Sequence, residues 1–269
     1  MPMNAQRIYA VFLRQWYLIR GNATRFVQMF IWITVDVVMW GFLSKYLGGI
    51  SGSGFNFISV LLGAILLWDF LIQIMQGITM SFFEDVWSRN FLNMFASPIK
   101  ISEYIAGFTL ASIFRGILAL ILMFILASLI FGFSALIYGS SIALFLLILF
   151  LSGIALGIIG VSIVLRLGPA AEWFIWPIPA LLSPFVGVLY PLTVLPQWMQ
   201  YIGHALPPSY VFAGIRAIVN GGTFPGAQLL LGVALSLIYI VIAYFILLTV
   251  YKNAIRSGLI ARYSAETVN

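Results

Sequence analysis

Apolar runs long enough to cross about 30 Å of hydrocarbon recur along most of this chain, and that recurrence leaves few architectures open to it. Backbone amides in lipid must be satisfied internally, so segments of this length fold as helices packed side by side. The runs are expected at about Phe26 to Leu47, Phe57 to Phe82, Tyr104 to Phe131, Ile142 to Leu165, Ala171 to Leu189 and Gln228 to Tyr251. The fold class is therefore an all-α integral membrane bundle of six transmembrane helices, in a single membrane-embedded domain covering 1–269. Composition agrees, since 63% of residues are hydrophobic and 7% charged, against roughly 25% charged in a soluble domain. The fifth run contains Pro177, Pro179 and Pro184, so it cannot be one straight helix.

Thirteen Lys and Arg against seven acidic residues leave a formal charge of +6. The cations are scattered at helix ends and form no dense basic face, so no nucleic-acid partner is read from them. Topology explains them instead. The N-terminal segment, the loop from Glu84 to Ile101, the turn at Arg166 and the C-terminal tail hold ten of the cations, whereas Lys45 and Arg216 fall on the other side. Both termini are expected in the cytoplasm, with the protein in the plasma (inner) membrane of a prokaryote. Arg7, Arg14, Arg20 and Arg25 spread through the first stretch without a short apolar core and cleavage site, which reads against a cleaved leader. The absence of cysteine excludes disulfides, thiolate metal sites and cysteine nucleophiles.

Three segments fall outside the spans. From about Asn4 to Asn22, Ile8, Val11, Phe12, Trp16 and Ile19 form a helical stripe, with Arg7, Arg14 and Arg20 outside it, so residues 1–25 read as an interfacial amphipathic helix. Residues 84–98 are amphipathic, too short to span, and closed by Pro98, which disfavours helix at Ser97. They read as a short cytosolic helix whose Trp87, Phe91 and Phe95 lie beside Glu84, Asp85 and Arg89, suited to docking on a partner or to lying on headgroups. Residues 190–226 mix apolar and polar residues with five prolines, and read as broken, re-entrant helices on the outer side.

No nucleotide or catalytic motif is present: there is no phosphate loop, and His204 is the one histidine. The chain is read as not an ATPase by itself. Charges within spans are expensive, so Asp36, Asp69, Arg115 and Glu172 are expected to face the bundle interior, a partner or a water-filled path. They serve either a path or gate, or a bridge that holds helices in register, and sequence alone leaves both open. Gly153, Gly157 and Gly160 make a small-residue face for helix packing. Trp32, Trp40, Trp68, Trp173, Trp176 and Trp198 suit interfacial belts.

The order of these parts resembles the ABC-2 type exporter permeases, the membrane subunits of one class of ATP-binding-cassette exporters. The basic N-terminal helix, the acidic-start segment ending in Ala96-Ser97-Pro98 and the outer segment carry the resemblance across nearly the whole chain. Its most specific blocks are Leu195-Pro196-Gln197-Trp198-Met199-Gln200, Leu206-Pro207-Pro208-Ser209-Tyr210 and Gly214-Ile215-Arg216. The resemblance implies six spans, a re-entrant segment that includes Pro196, Trp198, Pro207, Pro208, Tyr210 and Arg216, and a homodimer of permeases among membrane lipids. It also implies two cytosolic ABC ATPase subunits, which bind ATP and Mg while this chain binds no cofactor. Glu84, Asp85, Trp87, Arg89 and Phe91 would then be the coupling-helix contact with the ATPase. An aromatic, weakly charged membrane path suggests an amphipathic or lipid-like cargo (a lipid, lipid-linked glycan or hydrophobic drug), and the resemblance implies that it moves outward. Two other classes stand beside it: an ion-coupled secondary transporter or channel using Asp36 and Asp69, and a non-transporting membrane scaffold.

Overall fold

The computed structural model describes residues 3–21, 23–51, 57–88, 94, 97–222 and 224–259, with the backbone alone described at 23–26, 28–30, 51, 169–170 and 172. Among the described residues there are helices and turns but no strands. The helices are α1 Ala5–Arg20, α2 Ala23–Ser51, α3 Gly63–Trp87, α4 Ile101–Phe131, α5 Ser141–Leu167, α6 Glu172–Ile175, α7 Pro177–Val186, α8 Gln197–Ala205, α9 Pro208–Val219 and α10 Gly226–Arg256. A π-helical turn at Ile58–Leu62 leads directly into α3.

Five of these, α2, α3 with its leading turn, α4, α5 and α10, are long and apolar enough to cross a membrane. The expected fifth run is not a sixth long helix. Its prolines break it between Ile175 and Pro177, and Trp173–Val186 is a shorter apolar segment, about 21 Å long at 1.5 Å per residue. That is less than the hydrocarbon thickness.

Helix α3 is the centre of the bundle. Its most apolar stretch is 72% buried within the chain, against 17% for α10, because α4 and α5 flank it while α10 packs mainly on α5. The α3–α5 seam is the glycine face anticipated from the sequence. A methyl group placed on Gly153 would stand 2.9 Å from Ile74, and one on Gly157 would stand 2.9 Å from Ile78. Only glycine allows the backbones this close.

Contacts fix the helix directions. Gly153 meets Ile74 and Gly157 meets Ile78, so the numbers rise together and α3 and α5 run parallel. Gly77 meets Ser112 while Gly116 meets Ile74, so α4 is antiparallel to α3. Gly232 sits beside Ile148, and the hydroxyls of Ser152 and Ser236 are 3.2 Å apart, so α10 runs parallel to α5. Residues 168–225 therefore return the chain to the end from which α5 starts. There α9 is seated, with Gly214 against Phe145 and Phe212 6.0 Å from Trp68, ring to ring.

Within 190–226, Pro196 caps α8, Pro207 caps α9 and Pro208 opens it, where a missing N–H costs nothing. Arg216 donates to the carbonyls of Gly187 and Val188, the latter at 2.9 Å, and so caps the C-terminal end of α7. Tyr210 donates to the His204 carbonyl at 2.8 Å, and Tyr239 of α10 donates to that of Ala205 at 3.2 Å. Trp198 is exposed and lies 6.4 Å from Phe185, edge to face. These partners hold α8 and α9 as one folded unit against α7 and α10.

Candidate functional site

Two features stand out, and both are built on α1, α3 and α4. The first is a pair of carboxylates at the two roots of the connection between α3 and α4. Asp85, in the last turn of α3, is 1% exposed. It accepts from Arg14 of α1 through both guanidinium nitrogens, one at 2.8 Å, and from the Tyr104 hydroxyl of α4. Hydrogen bonding to Asp85 holds the Arg14 guanidinium charged, well above the ordinary arginine range. Glu103, in the first turn of α4, is 0% exposed. It accepts from the backbone of Asn4 at 2.9 Å and of Lys100 at 3.0 Å, and from Arg7 at 3.4 Å.

Helix α1 thus grips both ends of the 88–100 connection with arginines two turns apart. Between them Val11, 1% exposed, packs on Gly107, where a Cβ would come within 2.5 Å of the valine. The expected stripe does face the bundle through Val11. The correction concerns Arg7 and Arg14, which were placed outside that stripe and instead join it, because buried carboxylates on α3 and α4 neutralise them. A helix fastened in this way is docked on α4, not merely laid on the interface.

The second feature is a groove of about 1010 Å³ bounded by α1, α2, α3 and α4. One face of α3 supplies Asp69, Gln73, Gln76 and Glu84, at a spacing that keeps them on one side of the helix. Asp36 of α2, Arg115 of α4 and Arg20 of α1 complete its polar lining, and Trp16, Trp32, Phe114 and Trp176 supply aromatic wall. Asp36 and Asp69 both line this groove. Among the described residues neither carboxylate makes a hydrogen bond or ion pair. Arg115 lies between the Gly77–Ser112 and Gly116–Ile74 contacts, about level with Met75 and more than a turn along α3 from Asp69.

The structure therefore brings Asp36, Asp69 and Arg115 to one groove. Glu172 belongs to α6, and its side chain lies outside the described residues. Of the expected docking set, Glu84, Asp85 and Trp87 are not the start of a separate helix: they are the last turn of α3, which runs on to Trp87. Asp85 is buried in the α1 clasp and presents nothing outward, because Arg14 and Tyr104 occupy its oxygens. Glu84 lines the groove, and Trp87 is 48% exposed with its ring on Phe83. Arg89 and Phe91 lie outside the described residues. None of Pro196, Trp198, Pro207, Pro208, Tyr210 and Arg216 lines the groove.

Sequence reading passed over Glu103 and Tyr104 as partners, and Gln73, Gln76, Trp16 and Trp32 as groove wall. The spacing of Asp69, Gln73 and Gln76 within an apolar helix was a readable signal of one polar face. The partners of Asp85 carried no local signal.

Comparison with known proteins gives two findings. The family model described as ABC-2 type transporter matches residues 5–220. A protein of Bacillus subtilis (strain 168) named Uncharacterized protein YhgE is 39% identical over 67 residues, which cover 23% of this chain and 9% of that protein.

Proposed function

The chain belongs to the ABC-2 type transporter family, and from that premise we propose that it is the permease subunit of an ATP-driven exporter. ATP and Mg act on a separate cytosolic ABC ATPase, two permease copies pair in the inner membrane, and an amphipathic or lipid-like cargo moves outward. The observation that carries this reading is the α1 clasp on both roots of the 88–100 connection. A segment that receives a push from an ATPase must pass it to the spans. Here α3, α4 and α1 are tied at that point by buried ion pairs, so displacement of the connection moves three helices together.

The same reading takes the broken segment Trp173–Val186 as the sixth crossing. The parallel course of α5 and α10 supports a return across the membrane between them. Helices α8 and α9 then lie re-entrant at the outer end, and both termini are cytosolic.

Docking is assigned to Trp87, which is exposed, and to Arg89 and Phe91 of the connection that follows it. The test is capture of the tagged chain from its native membrane, with mass spectrometry of what accompanies it. A phosphate-loop ATPase is expected with the unaltered chain and is expected to be lost with Trp87→Asp and Arg89→Glu, while the permease elutes unchanged from a sizing column. An ATPase retained by both variants would remove the docking assignment, and no ATPase at all would remove the exporter.

Asp36 and Asp69, which pair with no side chain among the described residues, favour a second reading, an ion-coupled carrier. Transport into vesicles driven by a proton or sodium gradient, without ATP, would decide for it.

A further inference from the structure

We propose that the groove between α2, α3 and α4 binds a cationic amphiphile, with an ammonium or guanidinium head between Asp36 and Asp69 and an apolar body along the aromatic wall. The proposal deepens the exporter reading by naming the charge class of the cargo, and rests on that reading only for the direction of movement.

Five charged side chains line the groove: Arg20, Arg115, Asp36, Asp69 and Glu84. Arg20 ends α1 at the end remote from the Asn4–Glu103 contact, and Arg115 is about level with Met75, more than a turn along α3 from Asp69. Among the described residues neither arginine forms an ion pair with Asp36 or Asp69. Two like charges that line one cavity are a poor arrangement for structure alone, since a bridge holding helices in register would need a cation between them. No side chain among the described residues supplies it. A ligand cation would relieve the repulsion, and in a low-dielectric site that preference is large. Trp32, on α2, is 62% exposed and Trp176 is 51% exposed, and both line the groove. Indole faces attract cations and accept an alkyl or aromatic body. The volume of about 1010 Å³ suits one such molecule. An anionic amphiphile would meet uncompensated repulsion at the same place, and a neutral one would leave the carboxylates unpaired.

The test is equilibrium binding to the purified chain in phosphatidylcholine nanodiscs, read by energy transfer from tryptophan to a dansyl group. Three probes share one dansyl-dodecyl body and differ in the head: ammonium, sulfate or hydroxyl. The ammonium probe is expected to bind at least about tenfold more tightly than the other two. Asp36→Asn with Asp69→Asn should abolish that preference and leave binding of the hydroxyl probe unchanged. If the double variant fails to fold, Asp36→Asn alone, on the less buried helix, is expected to cut the preference several-fold. Equal binding of the three probes, tighter binding of the sulfate, or a preference that survives these substitutions would overturn the proposal. The assay contains neither nucleotide nor ATPase. Ammonium-selective binding by a chain with which no ATPase co-purifies would sink the exporter alone, and charge-indifferent binding by a chain that does capture one would sink this proposal alone.

Discussion

Asp85 shows how a single residue is decided by its neighbours. It is 1% exposed, and its neutralising groups come from helices remote in sequence, Arg14 lying 71 positions away and Tyr104 19. Removing one partner of a buried pair leaves an uncompensated charge. Arg14→Ala is therefore expected to destabilise the protein by about 3 kcal/mol, seen as a lower unfolding midpoint in detergent. Arg14→Lys, which keeps the charge but not the two-pronged geometry, should fall between. Adding Asp85→Asn to Arg14→Ala should recover part of the loss, and strict additivity of the two would show that they do not interact. Gln15, next on α1, is fully buried, and among the described residues neither of its amide atoms has a hydrogen-bond partner. Gln15→Met is expected to be neutral or to stabilise by about 1 kcal/mol in the same assay.

At the scale of elements, glycine positions set how closely helices approach. Gly107 admits Val11 of α1, so Gly107→Leu should push α1 off α4 while the spans stay assembled. The check is limited trypsin digestion: cleavage at Arg7, Arg14 and Arg20 should speed up sharply, with the remainder of the chain intact. Cleavage at the unaltered rate would mean that α1 is held by its ion pairs alone. The α3–α5 seam has no flexible group to give way on the α3 side, since Gly153 faces the branched carbon of Ile74 and the carbonyl of Leu71. Gly153→Leu should thus cost about 1–3 kcal/mol, or more if the seam cannot part. The same change at Gly49, where an added Cβ would meet nothing within 4 Å among the described residues, should be silent.

For the whole molecule, the parallel course of α5 and α10 governs topology. The chain contains no cysteine, so single cysteines can be placed without background. Met3→Cys and Ser257→Cys are expected to react with an impermeant thiol reagent only from the cytosolic side. Leu136→Cys and Val194→Cys, at positions 88% and 70% exposed, should react only from outside. Tails labelled from opposite faces would remove the crossing assigned to residues 173–186. Much of this scale was legible before any coordinates. Apolar length determined that the chain lies in lipid as helices, and it located α2, α3, α4, α5 and α10 to within a few residues, because hydropathy sums locally along the chain. The small-residue face at Gly153 and Gly157 was legible for the same reason. What only the tertiary structure decided is which charges meet. Glu84 and Asp85 look alike in sequence, yet one lines a groove and the other is locked to α1, and Arg7 reaches a carboxylate 96 positions away. Pairing depends on which helices become neighbours and at what height, and that is settled by packing across the bundle, not by the residues on either side in the chain.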